Sequence, residues 1–423
     1  MTTPHEELPS VVLDETILAA IDAGFEAEVA FLQGIVRLPT DNPPGDCADA
    51  GEAAARLLEG LGFTVERHPV PEAFLRPHGM KSVVNLVVRH RFGDGAGPTI
   101  ALNAHGDVVP PGEGWTVDPY GAEIRGGALY GRGAAVSKSD FATYAFALKA
   151  LQAATAGGAS LSGTIELHLT YDEEAGGYVG PKWLLDRKIT KPDYAICAGF
   201  SYGVVNAHCG VVHIEVTVRG RQAHAAMPDT GADALAAATR VLTALYAERD
   251  RIRKKKSKWK GIGSPQLTVG LIHGGINTNV VPDRILMRLD RRLIPEENGA
   301  QVEQALMALI KRAGRGKDIR IDTRRVMRAE PLKPLRGTET LTGPLTRHGR
   351  RELKTAIAVK GVPLYTDARH YSAAGIPAVL YGAGPRTILD AHAHGADEHV
   401  RLSDLKAATK VIEATLRDLL ASE

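Results

Sequence analysis

The sequence predicts an α/β protein with a mostly parallel sheet, into which an α+β domain of the ferredoxin-like type is inserted. Helical and strand-like segments alternate from the start of the chain to about residue 210. The order then changes to strand, helix, strand, strand, helix, strand, and α/β character returns after about residue 328. We therefore predict an α/β domain at 1–210 and 329–423, interrupted by a second domain at 211–328.

The first domain opens with two helices and continues with strands. Apolar residues recur at helical spacing over 15–38 and 48–61, and Gly62 directly after the second segment is a typical helix C-cap. Short apolar runs that end in polar residues predict buried strands, here separated by helical segments as in a parallel sheet. The strands are expected at 99–107, 164–174, 193–198 and 377–384, and further helices at 139–155 and 402–420.

The inserted domain is predicted from a change in periodicity. Apolar and polar residues alternate over 211–220, which is typical of an amphipathic strand with one buried face. The remaining segments are a long helix, two strands, a second helix and a final strand, at 232–252, 266–275, 283–295, 299–313 and 319–326.

Composition excludes several classes of protein. The chain has 51 Lys plus Arg and 49 Asp plus Glu, so its net charge of +2 gives no reason to expect nucleic acid as a partner. The basic run at 249–260 has only Trp259 for base stacking and is interpreted as a solvated helix end. No apolar stretch is long enough to span a membrane, so no membrane partner is expected. The three cysteines form no CxxC pair, which favours a reducing cytoplasm.

Side chains suited to metal binding follow three of the predicted core strands. In an open parallel sheet such strand ends meet at one edge, where ligands bind. Imidazole and carboxylate together suit zinc, manganese or cobalt. Of two adjacent glutamates, one can ligate a metal while the other takes a proton from water. The residues concerned are His105, Asp107, Asp172, Glu173, Glu174, His392 and His394.

Six segments resemble the aminoacylase / carboxypeptidase G / succinyl-diaminopimelate desuccinylase family of metallohydrolases. Their order and spacing agree over nearly the full length of the chain, and as a set they are highly specific. The segments are NAHGDVVPPGEGWTVDPYGAEIRGGALYGRGA (103–134), TYDEEAGG (170–177), GRQAHAAMPDTGADAL (220–235), GGINTNVVPDRILMRLDRRLIP (274–295), YTDARHYSAAGIPAVLYGAG (365–384) and AHAHGADEHV (391–400).

The resemblance implies a di-zinc α/β domain that hydrolyses an amide-type C–N bond in an N-acyl amino acid or short peptide. Glu173 then matches the general base, and Asp107 matches the residue that orients a metal-binding histidine. The matching metal ligands are His105, Glu174 and His394, the last standing four residues before Glu398 as in the family's closing motif.

The resemblance also implies that the inserted domain is a lid that often makes a homodimer. His224 matches the lid histidine that reaches the site of the partner subunit and stabilises the oxyanion. Asn279 and Arg292 match lid residues that meet the carboxylate of a small-molecule substrate. For Arg292 the residues alone also allow a simple ion pair with Asp290 or Glu296.

Two positions depart from the family pattern. Val136 stands where the family has an Asp that bridges two metals, and Gly199 aligns with a ligating Glu or Asp. Neither side chain can bind a metal, so we expect one Zn²⁺ (or Mn²⁺ or Co²⁺) rather than two. Asp140 lies one helical turn after Val136 and is predicted as a replacement ligand, with an N-cap of the following helix as the alternative.

Other replacements and other functions stay open at this point. His208 or Cys209 can replace the carboxylate missing at Gly199, His392 can join His394, and Lys138 can pair with a site carboxylate. Because two family ligands are absent, at Val136 and Gly199, two other functions are also possible. The chain can be a metal-free binding protein, or an enzyme that catalyses a changed reaction. The retained acids and histidines favour a hydrolase.

Overall fold

The chain divides into two compact units in the computed structural model, which describes residues 10–387 and 389–421. Of the described residues, the first unit contains 10–206, 334–360 and 366–421. The second unit contains Ala207–Lys333 and also a short later segment, Gly361–Tyr365, that the sequence had not placed there.

Strands form wherever alternating or fully apolar runs occur, and glycines or prolines punctuate them. The strands are β1 (Val65–Pro69), β2 (Val84–Phe92), β3 (Thr99–His105), β4 (Glu123–Arg125), β5 (Ala128–Tyr130), β6 (Gly163–Thr170), β7 (Tyr194–Cys197), β8 (Gly203–His208), β9 (Gly210–Arg219), β10 (Gln266–Gly274), β11 (Arg284–Leu293), β12 (Arg320–Ala329), β13 (Ala358–Val362), β14 (Ala378–Leu380) and β15 (His399–Arg401).

Helices lie between these strands and at both ends of the described chain. They are α1 (Ser10–Val36), α2 (Ala48–Gly60), α3 (Glu72–Leu75), α4 (Lys138–Ala156), α5 (Pro181–Asp186), α6 (Ala234–Ile252), α7 (Gly299–Ala313), α8 (Thr338–Leu353), α9 (Ala368–Ala373) and α10 (Leu402–Leu420). Within the described residues, none of them combines the length and the apolar character that crossing a membrane requires.

The large sheet has the strand order β1-β2-β6-β3-β7-β14-β8-β13. Its four consecutive strands β6, β3, β7 and β14 run parallel, while β1–β2, β2–β6 and β14–β8 are antiparallel pairs. The parallel strands are buried on both faces, as their continuous apolar sequences indicate. The predicted α/β class with a mostly parallel central sheet is confirmed.

Helix α4 is the central helix of the first unit. It packs against α1, α10 and β3. Phe141, Tyr144 and Leu148 are buried, as is every residue from 138 to 148. A helical segment that is buried on all sides belongs in the middle of a core, so the N-terminal part of α4 is held firmly.

The second unit is an antiparallel sheet with two helices packed on it. The strand order is β10-β11-β9-β12, and α6 and α7 pack against the sheet. The helix starts follow capping rules, because Asp233 accepts hydrogen bonds from two backbone amides of α6 and Asn298 accepts one from α7. The chain order β9-α6-β10-β11-α7-β12 is the predicted ferredoxin-like order.

Candidate metal centre

Adjacent parallel strands bring three ligand-bearing side chains together at one edge of the large sheet. A ring nitrogen of His105 and one carboxylate oxygen from each of Glu173 and Glu174 lie within 4.8 Å of one another. His105 ends β3 in register with Thr170, the last residue of β6, and the two glutamates follow in the next turn. Strand pairing alone therefore explains why these residues converge.

The ring of His105 is held in one orientation. Its Nδ1 lies 3.0 Å from the backbone oxygen of Asp107 and 3.4 Å from Oδ1 of the same residue. This contact leaves Nε2 as the nitrogen that can bind a cation. Burial disfavours the charged ring, but the carboxylates of Asp107, Glu173 and Glu174 outweigh burial and raise the pKa of His105 well above its usual range.

Asp107 also holds the turn that carries both glutamates. Its Oδ1 accepts a hydrogen bond from the backbone amide of Glu173 at 3.1 Å, and its Oδ2 accepts one from that of Glu174 at 3.1 Å. Oδ2 additionally accepts from the side-chain amide of Asn42 at 2.9 Å. Asp107 is fully buried, so a single fixed carboxylate sets the positions of His105 and of the acid pair.

His394 reaches the same group from a distant part of the sequence. Its Nε2 lies 3.2 Å from Oε1 of Glu174, and its side chain is 52% exposed. The hydrogen bond that the ring of His394 donates to the carboxylate of Glu174 is the main reason why the pKa of His394 is raised. His105, Glu174 and His394, the predicted ligands, thus belong to one connected cluster.

Glu173 lies among other carboxylates. Burial is the first cause that raises its pKa well above the usual range; Glu174, Asp367 and Asp107 add to it, while His105 opposes it. Burial likewise raises the pKa of Asp367 to about 7. A buried group of carboxylates with few cations is stabilised by a bound cation.

Asp367, Arg369 and His370 have no role predicted from the sequence, although the resembling segment 365–384 contains them. The side chains of Arg369 and His370 both donate hydrogen bonds to the backbone oxygen of Gly176, just after the glutamates. Gly177 has φ +69°, and a Cβ there would lie 2.1 Å from Oδ1 of Asp367. The start of α9 thus packs tightly against the turn of the acid pair.

The donor set fits a divalent metal ion. Imidazole and carboxylate are ligands for zinc, manganese and cobalt, and the cluster supplies both kinds. Among the described residues, this is the group of His, Cys, Asp and Glu side chains whose ligand atoms lie close enough to share one ion.

The two positions that depart from the family pattern contribute no ligand. The backbone amide of Val136 donates a hydrogen bond to Oε1 of Glu398 at 3.0 Å. A Cβ on Gly199 would lie 2.7 Å from both the Cβ of Leu380 and the backbone nitrogen of Tyr381. Position 199 therefore has no room for a side chain.

Asp140 is not brought into the three-residue group. Its Oδ1 accepts a hydrogen bond from the backbone amide of Ala383 at 2.7 Å. The alternative that Asp140 caps α4 is wrong, because Ser137 occupies the N-cap position. Lys138 donates to the backbone oxygens of Ile35 and Leu38, at 3.2 and 2.9 Å, rather than to a site carboxylate.

The other candidate ligands are engaged elsewhere. Nδ1 of His208 lies 2.8 Å from the backbone oxygen of Cys209. Nδ1 of His392 lies 3.0 Å from the backbone oxygen of Ala396. None of these side chains belongs to the group around His105.

Within the second unit, two of the predicted lid residues are neighbours. The segment of His224 pairs with that of Asn279: His224 forms a bridge with Val280, and the amide of Ala225 donates to the oxygen of Asn279 at 2.9 Å. Nε of Arg292 donates to Oδ1 of Asp290 at 3.0 Å, the ion pair that the sequence also allowed.

Fold and donor set together are those of a metal-dependent hydrolase. Residues 101–418 match the model of peptidase family M20/M25/M40, and the chain belongs to this family. Succinyl-diaminopimelate desuccinylase of Rhizorhabdus wittichii is 31% identical over 410 residues, covering 92% of this chain and 97% of the relative. Acetylornithine deacetylase of Myxococcus xanthus is 30% identical over 369 residues, covering 85% and 89%.

Solved structures share the same fold. The M20 family metallo-carboxypeptidase Sso-CP2 of Sulfolobus solfataricus superimposes with a TM-score of 0.73 at 18% identity, over 92% of this chain and 98% of that one. Family membership and the curated relatives establish that the chain is a hydrolase acting on amide bonds.

Proposed function

We propose that this chain hydrolyses the amide bond of a small N-acyl amino acid or peptide-like substrate that carries a carboxylate, with the help of one divalent ion. The convergence of His105, Glu173 and Glu174 carries the proposal. The curated relatives support the substrate class, since their names describe removal of a succinyl or an acetyl group from an amino acid.

His105, Glu174 and His394 are the residues proposed to hold the ion, which is Zn²⁺, Mn²⁺ or Co²⁺. Such an ion supplies a Lewis acid that lowers the pKa of water to about 7 and polarises a carbonyl group. Asp107 keeps His105 in the orientation that leaves Nε2 available. A count of one ion is supported by Val136 and by the closed position at Gly199.

Glu173 is proposed to move the proton. Its carboxylate takes a proton from the attacking water and then gives it to the leaving nitrogen. The hydrogen bond from its backbone amide to Asp107 fixes its position during both transfers. A positioned general base of this kind contributes about 10²–10⁴-fold to the rate.

The second unit is proposed to act as the lid and as the dimerisation domain of a homodimer. His224 stabilises the oxyanion in the site of the partner subunit, an interaction of a kind worth about 3–4 kcal/mol. Asn279 and Arg292 bind the substrate carboxylate. We further infer a cytoplasmic location, which the three free cysteines support.

Metal content and hydrolysis test the proposal together. Purified protein is dialysed and its bound metal counted, and then it is assayed with N-succinyl-L,L-diaminopimelate, N-acetylornithine and a panel of other N-acyl amino acids. We expect one tightly bound ion and hydrolysis of at least one substrate. Glu173→Gln should keep the ion and lose activity, whereas full activity in this variant excludes Glu173 as the base.

One outcome favours the alternative function. Protein that keeps no ion and takes up neither zinc nor manganese is better explained as a metal-free binding protein built on the same fold. The tight packing around Gly199 would then reflect the loss of a metal centre.

A further inference from the structure

The segment 131–140, which has Val136 in place of a ligand, contacts both ends of the loop that carries His394. We define the His394 loop as residues 384–397. Just before it, the amide of Ala383 donates to Asp140. Just after it, Glu398 accepts hydrogen bonds from the amides of Ala135 and Val136, both at 3.0 Å.

The contact at the first end is built around Asp140. This side chain is buried, and a Cβ on Gly382 would lie 1.7 Å from its Oδ1, so that residue 382 must be glycine. Backbone amides of Gly199 and Gly384 also hydrogen-bond to the carboxylate. The carboxylate therefore joins the segments that follow β7 and β14.

The next turn of α4 makes a second contact with the same segment. The hydroxyl of Tyr144, four residues after Asp140, donates to the backbone oxygen of Tyr381 at 2.7 Å. Two successive turns in the buried N-terminal part of α4 thus fix the chain at 381–383 immediately before the loop.

The middle of the His394 loop is mostly exposed, although Ala391 is buried and Asp397, near the end of the loop, accepts hydrogen bonds from the amide and the hydroxyl of Thr116. Arg386, Asp390 and His392 are exposed, as is Leu389, whose exposed fraction is 85%. A loop with few buried side chains takes its position from its ends. Movement of either end therefore changes where His394 lies relative to Glu174.

We propose that Asp140 is a positioning residue for His394 and not itself a metal ligand. The carboxylate holds the start of the His394 loop, while Glu398 holds its end. This inference rests on the proposed function in one respect, namely that His394 binds the ion. It assigns Asp140 to a mechanical role in a site that lacks side-chain ligands at 136 and 199.

A double-mutant cycle separates the two roles of Asp140. Zinc affinity is measured by competition with a chelator for wild type, Asp140→Ala, His394→Ala and the double variant. If Asp140 acts through His394, Asp140→Ala weakens zinc binding about 10-fold in wild type, within the range for residues that orient ligands, and less than about 2-fold when His394 is already absent. Equal losses in both backgrounds show that Asp140 acts independently of His394 and overturn the inference.

Two further variants control the experiment. Asp140→Asn retains one oxygen that can accept from Ala383 but turns an NH₂ group toward another backbone amide, so it should recover part of the affinity lost in Asp140→Ala. Glu28→Gln alters another buried carboxyl, bonded to Thr409 away from the loop, and should leave zinc binding unchanged.

Hydrogen exchange tests the contact without any metal. In metal-free protein, Asp140→Ala should speed amide exchange in peptides covering 380–398, while Glu28→Gln should not. Unchanged exchange in Asp140→Ala overturns the inference. Failure of the proposed metal site gives a different result, because wild-type protein then binds no zinc. That result does not depend on the exchange rates of the Asp140→Ala variant.

Discussion

Arg132 and Glu398 form an ion pair that is almost completely buried. Nη1 of Arg132 lies 2.6 Å from Oε2 of Glu398, and the side chains are 1% and 0% exposed. The guanidinium also lies over the ring of Trp115, 5.1 Å from its centroid. Because Glu398 additionally accepts two backbone hydrogen bonds, this pair fixes the end of the His394 loop.

Arg132→Met should strongly destabilise the protein. Removing one partner leaves the charge of Glu398 buried and unpaired, which costs about 3–5 kcal/mol of unfolding free energy. Urea denaturation measures the loss. Arg76→Met is the control, because Arg76 pairs with Glu72 at the surface and should change the stability little. Similar losses in both variants would contradict the assigned role of the buried pair.

Asp107→Asn should weaken ion binding while the protein stays folded. The new NH₂ group faces a backbone amide of the acid pair, so one of the two hydrogen bonds that position Glu173 and Glu174 is lost. Loss of such an orienting group typically lowers metal affinity about 10–100-fold. Chelator competition gives the value, and Asp94→Asn in an exposed turn serves as the control. Unaltered affinity in Asp107→Asn would count against this role of the carboxylate.

Gly199→Ala should destabilise the protein even though it adds a single methyl group. The new Cβ meets Leu380 and a backbone nitrogen at 2.7 Å, and overpacking of this kind costs about 1–3 kcal/mol. Gly24→Ala is matched to it, since nothing lies within 4 Å of a Cβ at that position in α1. Replacing this helical glycine should stabilise by about 0.5–1 kcal/mol. Thermal or urea unfolding that shows no loss for Gly199→Ala would mean that position 199 is open.

Glu28 should make stability depend on pH. Burial raises its pKa to about 8, from 4.5, and its hydroxyl partner is Thr409. The folded state therefore holds a proton that the unfolded state has released between these two values, so the unfolding free energy falls as pH rises through this interval. The loss is complete above about pH 8.

Glu28→Gln removes this titration. Compared with wild type, the variant should gain stability as the pH is raised, by on the order of a few kcal/mol at about pH 9. Urea unfolding of both proteins at several pH values gives the difference directly. A difference that does not change with pH would show that Glu28 has an ordinary pKa in the folded state.

Strand order made the core of the candidate site predictable from the sequence. His105 and the two glutamates follow strands that are neighbours in a parallel sheet, and the rule that ligands bind at such strand ends needs only the pattern. Asp367 and Arg369 were missed because they contact a turn almost 200 residues earlier in the chain, and no local pattern reports that proximity.

Three other differences between the expected and the observed structure also have identifiable causes. Helix α8 contains Pro344, and a proline in its interior argues against a helix when only the sequence is read. The role of Asp140 depends on the segment after β14, which the sequence alone cannot place beside α4. Gly361–Tyr365 joins the second unit from a later part of the chain, so a continuous insertion was the natural expectation.

The place of β14 between β7 and β8 constrains how this protein is made. Leu380 pairs with Cys197 on one side and with Val205 on the other, so the middle of the sheet stays split until residue 380 has left the ribosome. The nascent chain must keep two unpaired strand edges from aggregating while residues 209–380 are translated. Fragments that stop at the end of the second unit should consequently be insoluble, and chaperones should engage the chain late in synthesis.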